Sequence, residues 1–367
     1  MTCQKTLSLV IPCYNEQKTL TSCLTRVLAI RTADLKLELI IVDDCSTDKS
    51  LMIAQDFAKR HPEVTVLRHE RNRGKGAALR TGFAHATGEF VGVQDADMEY
   101  DPQELHSLLQ PLLDNRADVV FGSRYLKPDS RRVLYFWHTW MNKTLTFVSN
   151  MFTNLDITDM ETCYKLFRRE LIQKIELKED RFGFEPEVTA KIAQIRCRVY
   201  ECAIGFTPRT PEEGKKINWK DGVRALYCIL HYSAPSAPLP MQLLLYLIIG
   251  TICAVVNVAS FGILFHSGIS IAIATPTTFA ISALLNYFLC IALLFRHRAR
   301  WNTFGEVIAY VATVTLMGFA DYGVTLGLVR GGVMPILSKT VAAAVGFIGN
   351  FLLRRFLVFP QPGVVRV

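Results

Sequence analysis

Between Met241 and Phe359 the chain is nearly free of charge and holds several apolar stretches long enough to cross a bilayer, roughly 20 residues each. That block does not suit an ordinary soluble core. Residues 1–235, which carry most of the acidic and basic side chains, are therefore expected to fold as a separate soluble domain, with a membrane domain over 241–359. A mean hydropathy above zero agrees with that division. The net charge of +8 suits a protein that lies on anionic lipid and handles phosphates. No basic stripe with base-reading side chains is visible, so nucleic acid is not an expected partner. The ten cysteines include no Cys-x-x-Cys pair, and Cys197 and Cys202, the closest two, have no histidine pair nearby. They are read as buried small hydrophobes rather than as zinc ligands or a disulfide framework. No basic, apolar and small-residue leader precedes the first strand-like segment, which points to an inner-membrane protein whose soluble half faces the cytosol.

Within the soluble half, β-rich runs alternate with helix-period segments. Thr6 to Pro12, Leu37 to Val42, Val64 to Leu67, Phe90 to Val93 and Ala117 to Gly122 read as strands. Thr19 to Ile30, Ser50 to Arg60 and Gly76 to Ala86 read as helices, with Ser46 and Asp48 as cap candidates for the second. This order predicts an α/β fold with a mostly parallel sheet and helices on both faces. The carboxyl ends of these strands carry Pro12-Cys-Tyr-Asn-Glu16, Asp43-Asp44, Arg68 to Lys75 and Asp95-Ala-Asp97, so one edge of the sheet collects charge, polarity and glycine. Alternation along an extended segment sends Asp95 and Asp97 to the same side. Two carboxylates there make a candidate site for a hard divalent cation and a diphosphate, since Mg²⁺ or Mn²⁺ needs only one or two carboxylates and takes the rest of its shell from phosphate and water. A solvated turn is the alternative.

The series VIPCYNE, VDDCSTD, NRGKGAAL and QDAD, in this order over about 90 residues, resembles the nucleotide-diphosphosugar-binding domain of family 2 glycosyltransferases, which have the Rossmann-like GT-A fold. The resemblance implies that Pro12, Tyr14, Glu16 and Asp44 contact base and ribose, that Lys75 lies near the nucleotide, and that Asp95 and Asp97 bind Mg²⁺ or Mn²⁺ under the diphosphate. Farther on, Gly122-Ser-Arg124, Thr158 to Phe167, Phe182 to Val188 and Arg209 to Gly222 resemble the subgroup that transfers a sugar to polyprenyl phosphate, such as dolichol-phosphate mannose and glucose synthases. Two departures stand out. Glu99 replaces a common glutamine two residues beyond the second metal Asp and adds a possible third metal ligand, and Gly205-Phe-Thr-Pro replaces a tyrosine- and glycine-rich turn.

The implied activity is inverting transfer of a hexose, mannose or glucose, from GDP-mannose or UDP-glucose to polyprenyl phosphate. The acceptor phosphate, with a second pKa of about 6, is already largely dianionic at neutral pH, so the enzyme has to position and neutralise it rather than deprotonate it. A planar guanidinium fork matches phosphate geometry. Arg124 and Arg209 are the leading candidates, followed by Arg131, Arg132, Lys215 and Lys216. Asp159 or Glu161 could orient the acceptor-side loop or serve as a helix cap. A processive polysaccharide synthase would carry a Gln-x-x-Arg-Trp motif in the catalytic half, and none occurs there. A lipid-sugar transporter whose soluble domain only binds is the rival from another class.

Two segments suit a membrane surface. Val133 to Phe152 places Val133, Trp137, Trp140, Leu145, Val148 and Phe152 near one helical face, and Ile217 to Tyr232 offers Trp219, Leu226, Ile229 and Leu230. Packing on the sheet is the plainer alternative. After a linker bearing Pro235, Pro238 and Pro240, four spans are readable: Leu243 to Phe265, Ile271 to Phe295, Val307 to Val329 and Val333 to Arg355. Arg296, Arg298 and Arg300 between spans two and three, with Arg354 and Arg355 after span four, put the middle loop and both termini on the cytoplasmic side. A shift of 64 positions aligns Tyr246 with Tyr310, Asn257 with Asp321, Asn286 with Asn350, Leu289 with Leu353, Leu293 with Leu357 and Phe295 with Phe359, which indicates a duplicated two-helix hairpin. Asp321 should face protein, with Lys339 or Asn257 as a partner. This half, ending in Asn350 to Phe359, resembles the GtrA-like membrane family, whose members are proposed to move lipid-linked sugars. An anchor or a homo-oligomerisation domain is the alternative.

Overall fold

The computed structural model describes residues 4–126, 132–209, 219–295 and 303–358. Two units divide at Ser233 and Ala234. The first is an α/β layer structure whose centre is β1 (Lys5–Cys13), flanked by β2 (Leu35–Asp43) and β4 (Phe90–Val93), with β3 (Val64–Arg68) outside β2. These four strands are parallel. The residues of β1 and β4 are largely buried on both faces, as crossover helices require: in β1 Leu7, Leu9 and Ile11 point to one side and Val10 to the other, all fully buried. On the first side they meet Leu39 and Ile41 and the helices α1 (Leu20–Leu28) and α2 (Ser50–Arg60). On the other side α3 (Lys75–His85) comes so close to β1 that a Cβ on Gly82 would collide with the Val10 side chain.

Beyond β4 the mostly parallel sheet takes in one antiparallel strand. The order continues β4, β6 (Lys165–Arg168), β5 (Val119–Ser123), β7 (Val199–Ala203), and β6 runs antiparallel to both of its neighbours. Neither β6 nor β7 is legible as a strand in the sequence. β6 has four residues and contains a lysine, and β7 is half-exposed at the sheet edge. Lys165 is nonetheless fully buried; its Nζ donates to the carbonyls of Met160, at 2.8 Å, and Thr162, and lies 4.7 Å from the Phe121 ring centre. Helices α4 (Leu105–Leu113), α5 (Phe136–Thr153), α6 (Arg169–Lys174), α7 (Phe184–Ile195) and α8 (Trp219–Ser233) complete the unit.

The single apolar face expected for Val133 to Phe152 is not formed. Val133 precedes the helix and is 90 % exposed; Trp137 and Trp140 are exposed; Leu145 and Phe152 are buried. A helix whose far half is clamped under the fold cannot present one stripe along its whole length, so the exposed aromatics, Tyr135, Phe136, Trp137 and Trp140, cluster at its start. In α8, Ala225, Cys228, Ile229 and Tyr232 pack inward while Trp219, Val223, Leu226 and Tyr227 face out. Ile229 therefore belongs to the packed face, not to the exposed one.

The second unit is helical: α9 (Leu239–His266), α10 (Ile271–Leu289), α11 (Thr303–Arg330) and α12 (Pro335–Leu353). Helix α9 packs on α10 and α11 on α12. Both α10 and α12 run on into a π-helical turn, Cys290–Phe295 and Arg354–Val358. Pro240 is not linker but lies in the first turn of α9, where its missing N–H costs nothing. Among the described residues, one helix, over Leu239–Leu264, is long and apolar enough to cross a membrane by itself. Arg131, Lys215, Lys216, Arg296, Arg298 and Arg300 lie outside the described residues, as do the side chains of Asp321 and Lys339. The cysteines are free among the described residues; Cys45, Cys163, Cys197 and Cys202 are only half-buried, contrary to the uniform burial expected of them.

Candidate active site

The carboxyl ends of β2, β1 and β4 lie side by side, and each is followed by a non-glycine residue in the left-handed region: Cys45 (φ 63°), Asn15 (φ 57°) and Met98 (φ 63°). Each such residue costs about 1 kcal/mol or more and persists only where its surroundings hold it. Asn15 is held from both ends: its Oδ1 accepts from the Thr47 N–H at 2.8 Å, and its own N–H donates to Ser46 Oγ at 3.1 Å. The β1 and β2 loops are thereby tied together, with the Glu16 N–H donating to Ser50 Oγ at 2.8 Å.

On this edge Asp44 is buried and its two oxygens already accept three bonds. His69 Nδ1 lies 2.7 Å away, the Arg73 N–H 2.9 Å and the Gly74 N–H 2.6 Å. Asp44 therefore shapes the loop leading into α3 before it offers anything to a nucleotide. Gly74 has φ 98°, and a Cβ there would collide with the Asp180 carbonyl, so only glycine lets α3 begin against residues 179–181. That start aims Lys75 inward. Its Nζ sits 3.0 Å from Asp95 Oδ2, 2.9 Å from Cys163 Sγ and 3.4 Å from Glu185 Oε1. Burial opposes the ammonium, but Asp95 first, then Cys163 and Glu185, outweigh it and hold its pKa well above the usual lysine range.

Asp97 occupies the other half of the pair. Its Oδ1 accepts the Glu99 N–H at 3.1 Å, and its carbonyl accepts from Arg209 Nε at 3.1 Å and Nη2 at 2.9 Å. Burial, with the Asp95 and Glu99 carboxylates beside it, pushes the Asp97 carboxyl up to about 7. Arg209 closes the ring: its Nη2 is 2.8 Å from Glu16 Oε2, and its N–H donates to Glu99 Oε1 at 2.8 Å. Tyr14 is 36 % exposed and Pro12 half-buried at the end of β1.

A divalent cation fits this set. Burial crowds the Asp95 and Asp97 carboxylates together, and like charges crowded out of water are what a hard cation relieves. Glu99 does not complete the set. Among the described residues no three His, Cys, Asp or Glu side chains converge on one point, and Glu99 instead faces the backbone of Arg209. An open site, finished by phosphate and water, matches two carboxylates better than a closed cage.

Arg124 departs further from expectation. Its guanidinium is bidentate on Asp159, with Nε to Oδ2 at 2.6 Å and Nη2 to Oδ1 at 2.7 Å, and its own N–H also donates to Oδ2. The pair is almost fully buried. It is a structural clamp between the end of β5 and residues 158–160, not a free fork awaiting phosphate. Arg132 is exposed and lies outside this cluster. Sequence reasoning missed His69, Cys163 and Glu185. Glu185 Oε2 and Glu161 Oε1 are buried without a partner, and burial together with Glu185 pushes Glu161 up to about 8.

The N-terminal unit matches the glycosyl transferase family 2 model over residues 8–176, and the helical unit matches the GtrA/DPMS transmembrane domain model over residues 245–359. A dolichyl-phosphate beta-glucosyltransferase of Drosophila melanogaster is 31 % identical over 218 residues, covering 55 % of this chain and 67 % of that one. The chain belongs to glycosyltransferase family 2. A dolichol-phosphate mannosyltransferase of Pyrococcus furiosus, 23 % identical, aligns with this family 2 enzyme through both units, over 96 % of this chain and 99 % of its own. Among solved structures, Mycobacterium tuberculosis glucosyl-3-phosphoglycerate synthase in complex with Mn²⁺, UDP and glucosyl-3-phosphoglycerate has a TM-score of 0.50 at 19 % identity, covering 64 % of this chain and 81 % of that one. That likeness shows the GT-A-like fold of the catalytic unit. The transferase is therefore a membrane protein with an α/β catalytic unit and a GtrA-type membrane domain.

Proposed function

We propose that this glycosyltransferase moves a hexose, mannose in first place and glucose in second, from GDP-mannose or UDP-glucose to a polyprenyl phosphate, with inversion. The observation that carries the reading is the alignment of both units together with the archaeal mannosyltransferase, joined to the carboxylate pair at the end of β4. Asp95 and Asp97 would hold Mg²⁺ or Mn²⁺, which supplies Lewis-acid stabilisation of charge on the departing diphosphate. Lys75 keeps Asp95 oriented by binding one of its oxygens. Arg209 ties Glu16 to the Asp97 backbone and so fixes the nucleotide loop against the metal loop. Tyr14 offers a ring to the base, Pro12 and Glu16 line the β1 end, and Asp44 acts through the loop it builds.

The acceptor needs no catalytic base, because its phosphate is largely ionised at neutral pH. Its neutralisation falls to Arg209 and Arg132, with Arg131 and Lys216 as sequence candidates. The exposed aromatics at the start of α5 and the outer face of α8 lie in the membrane interface, where ring faces and polar edges suit the headgroup layer. Helices α9 to α12 make four spans, with the catalytic unit on the cytoplasmic side of the inner membrane.

The test is transfer of radiolabelled sugar from GDP-mannose and, separately, UDP-glucose to a polyprenyl phosphate in detergent with Mg²⁺ or Mn²⁺, followed by mild acid. Acid-labile lipid product from one donor is expected. Bound nucleotide with no lipid product from either donor would defeat the reading.

A further inference from the structure

Among the described residues of the helical unit Arg354 is the most deeply buried charge, 3 % exposed, and no described carboxylate lies within ion-pair distance of it. Its surroundings are uncharged. Nη1 donates to Asn286 Oδ1 at 2.7 Å and lies 3.9 Å from Cys290 Sγ, and the guanidinium carbon sits 4.2 Å from the Tyr310 ring centre and 5.6 Å from that of Tyr246. Tyr310 OH donates to the same Asn286 oxygen at 3.1 Å. Nε, one of the donors a guanidinium uses for bidentate binding, is fully buried and has no hydrogen-bond partner among the described residues. Stacked rings and one amide oxygen offset only part of the cost of burying a full charge. An anion is what the site lacks.

The duplication gives this a second, independent footing. Under the 64-residue shift Tyr246 pairs with Tyr310, Asn286 with Asn350, and Cys290 with Arg354, where the two π-helical turns begin. The two rings around the guanidinium are thus the same residue of each repeat, and Asn350 Oδ1, the mate of the oxygen that holds Arg354, is also buried without a partner. Residues from both repeats converge, and the symmetry breaks at one point: a small thiol faces the arginine instead of a second arginine. A merely structural contact repeated by duplication would not need that asymmetry. Transporter folds built from repeats place their ligand sites at the repeat interface, and π turns collect at functional sites. Next in the chain, Arg355 has its Nη1 on Gln242 Oε1 while its Nε is buried and unpartnered, so two adjacent cations carry spare donors.

We propose that Arg354, framed by Tyr246, Tyr310 and Asn286, is a binding site for a phosphate monoester or diester inside the membrane domain. The assignment of a polyprenyl-phosphate headgroup rests on the transfer reading above; the anion chemistry does not. The guanidinium fork takes phosphate oxygens, and the tyrosine rings brace it.

The test uses the full chain in lipid nanodiscs and a polyprenyl phosphate carrying a photoreactive diazirine in its first isoprene unit, with labelled peptides mapped by mass spectrometry. Label is expected on peptides spanning 286–290 and 350–358, and Arg354→Met should lower it at least tenfold. Arg354→Lys keeps the buried charge but not the fork, and should label several-fold less than wild type at unchanged melting temperature; labelling equal to wild type would overturn the site. No label on those peptides in wild-type protein would do so as well. Competition by excess inorganic phosphate would identify a site for free phosphate, and indifference to it a site for the lipid headgroup. Sugar transfer is measured on the same wild-type sample. Labelling without lipid product sinks the transfer reading alone, and product without this labelling sinks the Arg354 site alone.

Discussion

The α/β unit and the helical unit treat buried positive charge in opposite ways. In the first, Lys75 meets Asp95 and Glu185, Arg124 meets Asp159, and Arg209 meets Glu16. Lys165, with only carbonyls on its ammonium, still has Glu161 and Glu185 in its electrostatic neighbourhood. In the second, Arg354 has aromatic rings and an amide. The difference separates two uses of a cation. Paired, it holds strand ends and loops at fixed distances; unpaired and buried, as Arg354 is among the described residues, it is left for the ligand we propose. Arg124 shows why pairing has to be seen before a role is assigned, since the same guanidinium looks like a phosphate fork in the sequence and is a clamp in the fold.

The comparison is most open to breakage at the Arg124–Asp159 pair. Asp159→Ala should cost roughly 3–5 kcal/mol of stability by leaving a buried charge uncompensated, while replacing both partners, as Arg124→Met with Asp159→Leu, should recover most of it. Chemical denaturation of the full chain in detergent reads this, and a loss below about 1 kcal/mol in the single variant would mean that Arg124 is not scaffold. Next in size, Asp97→Asn should lower transfer by about 10²-fold or more with the protein still folded, and a chelator should do the same to wild type. Normal turnover by that variant refutes the metal assignment.

A third outcome concerns pH. With the folded Asp97 carboxyl at about 7, against a usual value near 3.8, the folded state binds the extra proton between those limits. Stability of the metal-free protein should therefore fall as pH rises from about 4 to 7, and a divalent cation or Asp97→Asn should flatten the profile. Melting curves across this range decide it, and a metal-free profile that rises instead would remove the crowded-carboxylate account. Glu185→Gln should act more mildly: Lys75 then leans wholly on Asp95, and the donor KM should rise by about tenfold, the equivalent of one charge-assisted hydrogen bond. An unchanged KM would reduce Glu185 to core filling. The smallest effect is expected at the exposed aromatics. Trp137→Ser and Trp140→Ser should change stability by about 0.5 kcal/mol or less yet remove fluorescence quenching by brominated lipid. Quenching that survives both changes would place this end of α5 away from lipid.

Much of the catalytic architecture was legible because it is written locally. β-rich apolar runs with polar or acidic residues just beyond their ends disclosed β1, β2 and β4 and put Asp95 and Asp97 at the polar edge, and a plain shift of the chain by 64 positions suggested two repeats. What stayed hidden depends on partners far along the chain. Strand β6 looks polar because its lysine is satisfied by carbonyls that turn back onto it, and Lys75 reaches Glu185 across 110 positions. The sequence by itself pointed to two domains, a GT-A-like sheet with its acidic edge and, through the 64-residue shift, an expected duplication of a hairpin. Only the tertiary structure decided which cations are neutralised, that Glu99 is turned to the Arg209 N–H, and that Arg354 has rings and, among the described residues, no acid beside it. The reason is physical: periodicity and residue chemistry are properties of neighbours in the chain, whereas the state of a buried charge is set by whatever the fold brings within about 4 Å of it.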